Sequence, residues 1–366
     1  MATNGRIGVI IVDDSAITRQ VIARELSRAP DIEVLGSAAD PLTARDLILE
    51  KRPHVITLDL EMPKMDGLTF LRRIIKFNPI PVIVCSSLTQ NGCAKAMECL
   101  EAGACEVIGK PRGTAPTIEW GAQLIDLVRA AARARVQHRT VAETIAPVRA
   151  VVRQPTRPPT VLLSTIGSPV DPRKVIAMGS STGGTEALRV ILSELPAETP
   201  AIVMTQHMPE GFTKPFADRL NGLSRLEVRE AVAGDVLRPG LALLAPACHH
   251  LSIVRDGIRY IARVTEGPPV KRHRPSVEVL FESVALAAGS HAMGVILTGM
   301  GDDGADGMLS MHRAGAHTVA QDDATCVVFG MPKAAIARGG VRAIHPLNEI
   351  AKRIRDFATG AHAQAA

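Results

Sequence analysis

A serine-containing turn, GSSTGG at residues 179–184, follows the apolar run VIAM (175–178) and precedes the helical pattern TEALRVIL (185–192). This order predicts a buried strand that turns sharply into a helix, with a serine at the bend. Such a turn exposes the serine hydroxyl and directs backbone N–H groups towards it, which suits a serine nucleophile. A phosphate-binding loop is the alternative interpretation, but no Lys follows the glycines.

Two further polar segments follow apolar strands in the second half of the chain. His207 comes after PAIVMT (200–205), and the acidic residues of GMGDDGADG (299–307) come after GVILT (294–298). The carboxyl ends of parallel strands share one edge of a sheet, so a Ser-His-Asp relay is predicted there. The chain order Ser, His, Asp differs from the Ser, Asp, His order of the α/β-hydrolases. The G-x-S-x-G match therefore does not assign that fold.

Each of these polar residues has a simpler interpretation when it is taken alone. His207 resembles an ordinary loop histidine, and the aspartates of residues 302–306 resemble a calcium loop. That loop lacks the terminal Glu at the expected offset. The His249-His250 pair has no carboxylate or cysteine pattern near it, so no metal site is expected there.

The length of 366 residues is sufficient for two domains that each bury a core of ordinary size. The longest apolar runs, such as residues 7–12 and 295–297, are too short to cross a bilayer, and no export signal is apparent. The six Cys residues form no C-x-x-C pair, so reduced thiols are expected rather than a zinc site or disulfides. These features predict a cytoplasmic protein without membrane insertion.

The positive charge of the chain is concentrated in one segment. Between Arg129 and Lys174 nine Lys and Arg residues stand against two acidic residues, a net charge of +7, whereas the whole chain carries +5. The rest of the chain is close to neutral, so no nucleic-acid partner is expected. Several Pro residues interrupt the same segment, and helical periodicity ends near His138, which predicts a solvated linker.

The first 125 residues repeat a strand-then-helix unit five times, which predicts a doubly wound (βα)5 domain with a parallel sheet. The predicted strands are residues 7–12, 33–37, 55–58, 81–85 and 106–108, and the predicted helices are 16–28, 42–51, 67–77, 95–102 and 123–135. Polar side chains follow four of the strands and are expected to share one edge of the sheet. They are Asp13 and Asp14, then Asp59, Ser86 and Lys110.

Three carboxylates at one edge repel one another, and a hard divalent cation such as Mg²⁺ would offset that repulsion. The Ser86 hydroxyl and the Lys110 ammonium beside them can bind a phosphoryl group. Asp59 is therefore a candidate phosphoryl acceptor. A single acidic residue at a strand end is more often a helix cap or a solvated loop carboxylate, but the five polar residues together favour a phosphoryl site.

The N-terminal half resembles a response-regulator receiver domain, on these five residues, on LDLEMPKMDG (58–67) and on Lys110-Pro111. The resemblance implies that a histidine kinase phosphorylates Asp59. It also implies that Ser86 and Lys110 sense the phosphoryl group and switch the surface near the fourth strand. The implied Mg²⁺ site consists of Asp14 assisted by Asp13, together with Asp59 and the backbone carbonyl of Glu61.

Five segments of the second half resemble the catalytic domain of the chemotaxis protein-glutamate methylesterases. They are GSSTGGTEA (179–187), TQHMP (205–209), HRPSV (273–277), GVILTGMG (294–301) and CVVFGMP (326–332). The resemblance implies that Ser181 is the nucleophile, that His207 is the general base and acid, and that Asp303 orients the imidazole. It also implies an oxyanion contact from the Met300 N–H and no cofactor for the esterase reaction.

Two residues depart from the pattern of that family. Ser180 stands where alanine is common, and Asp302 stands where asparagine is common. Ser180 raises the question of which serine attacks, and the register with TGG (182–184) favours Ser181.

The implied reaction is hydrolysis of glutamate γ-methyl esters on chemotaxis receptors through an acyl-enzyme, with release of methanol. Deamidation of receptor glutamines by the same chemistry is also implied. An unphosphorylated receiver is expected to cover the Ser181 cleft, and phosphorylation of Asp59 is expected to release it. The protein is expected to be a monomer.

Two alternatives belong to other functional classes: a transcriptional regulator with a DNA-binding second half, and a binding module without catalysis. The strands and glycine turns after Arg173 disfavour the first, and the three triad residues disfavour the second. The predicted organisation is a receiver domain (1–125), a basic Pro-rich linker (126–172), an α/β methylesterase domain with a mostly parallel sheet (173–360) and a disordered tail (361–366).

Overall fold

The computed structural model of the chain describes residues 5–62, 65–87, 89–110, 118–134 and 170–360. The N-terminal half alternates five strands with five helices, as the sequence predicts. Its strands are β1 (Ile7–Val12), β2 (Ile32–Ala38), β3 (Val55–Asp59), β4 (Val82–Ser86) and β5 (Glu106–Gly109). Its helices are α1 (Ala16–Leu26), α2 (Pro41–Lys51), α3 (Gly67–Phe77), α4 (Gln90–Glu101) and α5 (Ile118–Arg133).

All neighbouring strands of the N-terminal sheet are parallel, in the order β2-β1-β3-β4-β5. Strands β3 and β4 are buried along their whole length, as expected of central strands with helices on both faces. The predicted doubly wound α/β fold is therefore confirmed. The parallel arrangement brings Asp13, Asp59 and Ser86 to one edge of the sheet.

Helix α5 continues past residue 125 to Arg133, so the boundary predicted there falls inside a helix. The helix continues because its apolar face continues: Leu124, Val128 and Ala131 are fully buried. Helix α4 begins earlier than predicted, since the Thr89 side chain caps it by accepting a hydrogen bond from the backbone N–H of Gly92. Residues 135–169 of the predicted linker and the predicted tail (361–366) lie outside the described residues.

The C-terminal half contains nine strands and six α-helices within residues 170–360. The strands are β6 (Val175–Ser180), β7 (Ala201–Gln206), β8 (Glu227–Glu230), β9 (Leu241–Leu244), β10 (His250–Asp256), β11 (Arg259–Thr265), β12 (Ala292–Ile296), β13 (His317–Gln321) and β14 (Ala343–His345). The helices are α6 (Gly184–Glu194), α7 (Thr213–Leu223), α8 (Val277–Ala288), α9 (Ala305–Arg313), α10 (Met331–Ala337) and α11 (Leu347–Thr359). Across the described parts of the chain, no helix combines the length and the apolar character needed to cross a membrane.

Seven of these strands form a parallel sheet in the order β14-β13-β12-β6-β7-β9-β8, and β10 and β11 form a separate antiparallel hairpin. The predicted mostly parallel sheet is confirmed. Strand β6 lies between β7 and β12. The chain therefore first adds β7 on one side of β6 and later adds β12 on the other side. Such a switch in strand order opens a crevice at the carboxyl ends of the strands. Ser181, His207 and the 299–303 loop follow β6, β7 and β12 into this crevice.

Helices α8 and α9 pack closely behind the loop that follows β12. A Cβ atom on Gly307 would lie 2.7 Å from the Cβ of Phe281, and one on Gly304 would lie 2.4 Å from a methyl group of Val277. Glycine at both positions therefore permits the close approach of the two helices. This packing places the first turn of α8 against Asp303.

We predict that Phe281→Ala destabilises the C-terminal half by about 3–5 kcal/mol, because the Phe281 side chain is fully buried and its removal leaves a cavity. Leu286→Ala on the same helix is the matched control, since Leu286 is 89% exposed. The control is expected to change the free energy of unfolding by less than about 0.5 kcal/mol. Urea unfolding followed by circular dichroism measures both variants, and equal effects would contradict the packing of α8 described above.

Candidate active site

The turn after β6 holds Ser181 by backbone hydrogen bonds on both sides. The Ser181 N–H donates to the Thr298 carbonyl at 3.0 Å, and the Gly184 N–H donates to the Ser181 carbonyl at 2.7 Å. Gly183 has a φ of +80°, and a Cβ atom there would lie 2.5 Å from the side chain of Val327. Both the backbone conformation and the available space therefore require glycine. The predicted strand-turn-helix geometry is present.

His207 follows β7; its side chain contacts Asp303, and its backbone contacts Ser180, the residue before the predicted nucleophile. Its Nε2 lies 2.8 Å from Asp303 Oδ2, and its backbone N–H donates to the Ser180 carbonyl at 3.1 Å. Its Nδ1 is buried and has no hydrogen-bond partner among the residues that the structure describes. An imidazole with its proton on Nε2 thus presents an unprotonated Nδ1, which can accept a proton from a hydroxyl group.

The Asp303 carboxylate is buried but fully supplied with donors. Oδ1 accepts from Ser276 Oγ at 2.7 Å and from the Glu278 N–H at 3.1 Å, and Oδ2 accepts from the Val277 N–H at 2.8 Å as well as from His207. The two amides belong to the first turn of α8, whose N-terminus attracts negative charge. Burial alone would raise the pKa of Asp303, but these hydrogen bonds and the nearby His207 hold it below its ordinary value.

A second histidine, His273, stacks flat on His207. The ring centroids are 3.8 Å apart and the ring planes differ by 8°. Burial, followed by the charge of His207, lowers the pKa of His273 to about 3, so its ring is neutral near pH 7. The stack restricts rotation of His207 and offers a neutral π-surface to the imidazolium. No role for His273 is predicted from the sequence, because nothing in the spacing of the chain connects the two rings.

Several backbone amides in the 182–183 and 300–301 turns donate no hydrogen bond within the described part of the chain. They include the N–H of Met300, the predicted oxyanion donor, and that of Thr182, to which the sequence pointed in no way. A Cβ atom on Gly299 would lie 2.7 Å from the Ser181 Cβ, so the 299–301 turn passes directly against the serine. Unpaired amides in this position are suited to an oxyanion.

Asp302, unlike Asp303, does not contact the imidazole of His207. Its carboxylate lies 3.6 Å from Lys271 Nζ and 3.3 Å from an Arg338 nitrogen, at the exposed rim of the crevice. Of the two adjacent aspartates, only Asp303 contacts the imidazole of His207, in agreement with the register used in the sequence analysis.

The N-terminal half contains a second cluster of charged residues. Asp13, Asp14 and Asp59 each offer one carboxylate oxygen, and these atoms lie within 4.8 Å of one another. Lys110 Nζ lies 2.8 Å from Asp59 Oδ2 and 3.1 Å from Asp13 Oδ2. Burial raises the pKa of Asp13 and Asp59, and Lys110 only partly opposes this. Three oxygen ligands in an electrostatically unfavourable group suit a hard divalent cation such as Mg²⁺.

Two other predicted residues lie at the edge of the acidic cluster. The Glu61 N–H donates to Asp59 Oδ1 at 3.2 Å, which places the Glu61 backbone beside the predicted phosphoryl acceptor. Ser86 is 1% exposed, and its hydroxyl donates to the Gly92 carbonyl of α4 at 2.9 Å. The end of β4 is therefore tied to α4. The roles assigned to all these residues stay predictions.

Comparisons with known proteins agree with both halves of the chain. The CheB methylesterase family model matches residues 176–354, and the response regulator receiver domain model matches residues 9–118. The protein-glutamate methylesterase/protein-glutamine glutaminase of Thiobacillus denitrificans is 47% identical over 354 residues, which cover 96% of this chain and 97% of that protein. The chain belongs to the CheB methylesterase family.

Other members of the CheB methylesterase family are similar over the same length. Protein-glutamate methylesterase/protein-glutamine glutaminase 3 of Geobacter metallireducens is 49% identical over 95% of this chain and 98% of that protein. Protein-glutamate methylesterase/protein-glutamine glutaminase 4 of Anaeromyxobacter dehalogenans is 51% identical over 95% of this chain and 94% of that protein. The predicted family, with a receiver joined to a methylesterase domain, is confirmed. The DNA-binding alternative is not retained.

We predict that Asp303→Asn lowers kcat by about 10⁴-fold, because an amide cannot hold His207 in the tautomer that leaves Nδ1 free to accept a proton. Asp302→Asn is the matched control and is expected to change kcat little, since the Asp302 carboxylate pairs with Lys271 and Arg338 at the rim. Rates of methanol release from methyl-labelled receptor membranes measure both. A larger loss in Asp302→Asn than in Asp303→Asn would show that the register of the aspartates is wrong.

Proposed function

We propose that this chain hydrolyses glutamate γ-methyl esters of chemotaxis receptors to glutamate and methanol, and that it deamidates receptor glutamines at the same site. The observation that carries the proposal is the His207–Asp303 contact of 2.8 Å, made by an imidazole whose buried Nδ1 has no hydrogen-bond partner among the described residues. The backbone N–H of the same histidine donates to the Ser180 carbonyl, next to the proposed nucleophile. The names of the similar proteins specify both reactions. Ser181, His207 and Asp303 are the proposed catalytic residues.

In the proposed reaction, Ser181 Oγ attacks the ester carbonyl carbon while His207 Nδ1 takes the hydroxyl proton. The carbonyl π-electrons move onto oxygen, and the N–H groups of Met300 and Thr182 bind the resulting oxyanion. When the carbonyl re-forms, the C–O bond to the methoxy group breaks, and the Nδ1 proton passes to the leaving methoxide. Methanol departs and an ester to Ser181 Oγ remains.

Water then completes the cycle. His207 Nδ1 removes a proton from water as the water oxygen attacks the acyl carbon. The bond to Ser181 Oγ breaks, the Nδ1 proton returns to the serine, and glutamic acid is released and ionises. In deamidation the leaving group is ammonia instead of methanol, and the other steps are unchanged.

Ser181→Ala is expected to abolish methanol release from methyl-labelled receptor membranes, because the variant lacks the attacking oxygen; the loss is about 10⁶-fold if the triad acts as a unit. Ser193→Ala on the exposed face of α6 is the matched control and is expected to retain full activity. Release of methanol by Ser181→Ala at the wild-type rate would overturn the proposed nucleophile.

The N-terminal half is proposed to receive a phosphoryl group on Asp59 from a chemotaxis histidine kinase. Asp13, Asp14, Asp59 and the Glu61 carbonyl are the proposed ligands of a Mg²⁺ ion, which when bound neutralises charge on the phosphoryl oxygens. Lys110 already contacts the Asp59 carboxylate at 2.8 Å, so its ammonium can pair with a phosphoryl oxygen there. The hydrogen bond from Ser86 to Gly92 provides a link from this site to α4.

Contacts between the two halves support control of the esterase by the receiver. Helix α4 packs against α6 and α7, and Glu101 forms an ion pair with Arg219 of α7. Burial raises the pKa of Glu106 in β5 to about 7, while a hydrogen bond with Thr182, next to the proposed nucleophile, acts in the opposite direction. The receiver therefore reaches the serine turn itself.

The interface between the halves is incompletely packed, which favours a reversible contact. A cavity of ≈ 370 Å³ lies beside the serine turn, and it is bounded by Leu100 and Cys105 on one side and by Gly183 and Cys326 on the other. Interfaces of this kind within one chain permit relative movement of the domains. We propose that phosphorylation of Asp59 shifts the population from the docked to the open arrangement.

Arg219→Glu is expected to raise the activity of the unphosphorylated chain by up to about 5-fold, because it places two negative charges together at the docked interface. The charge-swapped variant Glu101→Arg/Arg219→Glu restores an opposite pair and is expected to return activity to the wild-type value. Lys214→Glu, on the same helix at an exposed position that pairs with Asp218, is the control. The proposed docking is wrong if the swapped variant stays as active as Arg219→Glu.

A further inference from the structure

The side-chain amide of Gln206 bonds to the backbone of both the proposed nucleophile and the proposed base. Gln206 ends β7, and in the parallel register it is paired with Ser180 at the end of β6. Neither residue has any solvent exposure. Ser181 and His207 are the residues that immediately follow this pair, so the two catalytic segments leave the sheet from adjacent positions.

The polar atoms of this pair are all used in hydrogen bonds. Gln206 Nε2 donates to the Ser181 carbonyl at 3.0 Å and to the His207 carbonyl at 3.0 Å. Gln206 Oε1 accepts from Ser180 Oγ at 2.7 Å. A single amide group thus bridges the backbone of the serine turn and the backbone of the histidine.

The donors and acceptors around Gln206 permit only one orientation of its amide. A flipped amide would direct Oε1 at two carbonyl oxygens, which repel it, and would leave both N–H groups without those acceptors. The Ser180 hydroxyl donates to Oε1 and so favours the observed orientation further. Ser180, which departs from the alanine common in the family pattern, therefore has a specific partner here.

Glycine at position 184 leaves the space that this bridge occupies. A Cβ atom on Gly184 would lie 2.1 Å from Gln206 Oε1 and 2.7 Å from Ser180 Oγ. The first residue of α6 can therefore approach the bridge only because it has no side chain. The helix that follows the nucleophile is packed directly on the Ser180–Gln206 pair.

We propose that Gln206 is a positioning residue that fixes the separation of Ser181 and His207, and that Ser180 orients its amide. The inference rests on the proposed roles of Ser181 and His207. Gln206 touches no substrate, because it is fully buried, so it acts on the rate of the chemical step through the backbone of the two catalytic residues. An error of about 1 Å in such a separation lowers a rate by about 10²-fold.

The test uses the full chain and methyl-labelled receptor membranes, with kcat and KM obtained from methanol release. Gln206→Met keeps the volume and removes both donors, and it is expected to lower kcat by about 10²-fold with little change in KM. Ser180→Ala keeps the hydrogen bonds from Gln206 to the two carbonyls and removes the hydroxyl that orients the Gln206 amide. A loss of kcat on the order of 10-fold is expected. Asn221→Leu and Ser283→Ala are the matched controls, since each removes a hydrogen bond away from the crevice.

Gln206→Glu supplies a readout that a purely structural role would not change. A protonated carboxyl keeps one donor for the two carbonyls, whereas the ionised form repels both. The rate of Gln206→Glu relative to wild type is therefore expected to fall as the pH rises, while the relative rate of Gln206→Met stays constant with pH. The rates of all variants are compared at a temperature below the Tm of each variant. If Gln206→Met does not fold, Ser180→Ala and Gln206→Glu still test the proposal.

Several outcomes would overturn the inference. It is wrong if Gln206→Met has a lower Tm but a wild-type kcat, or if the relative rate of Gln206→Glu does not depend on pH. A wild-type kcat in Ser180→Ala would remove Ser180 from the proposal. The proposed function fails separately, and this inference with it, if wild-type protein releases no more methanol than Ser181→Ala does.

Discussion

The charge of a buried carboxylate must be stabilised by hydrogen-bond donors, and the candidate active-site crevice is organised around the donors to Asp303. The first turn of α8 supplies two amides, the capping residue Ser276 supplies its hydroxyl, and His207 supplies the remaining contact. Because α8 and Asp303 come from separate parts of the chain, this contact forms only when α8 has packed behind β12. The position of the imidazole thus depends on the assembly of the whole C-terminal domain.

The two halves of the chain use the same architectural solution for different chemistry. Each places its polar residues after parallel strands, where loops from adjacent strands converge. In the N-terminal half the convergence collects carboxylates with Lys110, and in the C-terminal half it collects a hydroxyl, an imidazole and a carboxylate. Helix α4 lies between the two sites, since it accepts a hydrogen bond from Ser86 and packs against α6 and α7.

The sequence was sufficient to predict the parts of the site that follow strands. Apolar runs and glycine turns located the ends of β6, β7 and β12, and a parallel sheet necessarily brings those ends together. The family resemblance then distinguished Ser181 from Ser180 and Asp303 from Asp302. The structure agrees in giving His207 a contact with Asp303 rather than with its neighbour.

Other features required the three-dimensional structure, because they join residues that no local pattern connects. The stack of His207 on His273 depends on a loop from another part of the domain, and the donors to Asp303 come from the start of α8. Helix α5 begins at Ile118, before the predicted start at residue 123, and ends at Arg133, close to the predicted end at residue 135. The domain boundary at residue 125 was placed inside this helix because charge and proline marked the linker. The His207–His273 stack and the donors to Asp303 arise from packing between segments that are distant in the chain, which the hydrophobic periodicity of each segment does not specify.

The glycine at position 184 restricts which amino-acid substitutions this site can accept during evolution. The Ser180 hydroxyl and the Gln206 amide fill the space that a side chain at position 184 would need. The effect of a substitution at any one of these three positions therefore depends on the residues at the other two. Such epistasis makes stepwise replacement of the three residues difficult, even though none of them is proposed to take part in bond breaking. The immediate neighbours of the proposed nucleophile and base are therefore expected to vary as a group among related sequences.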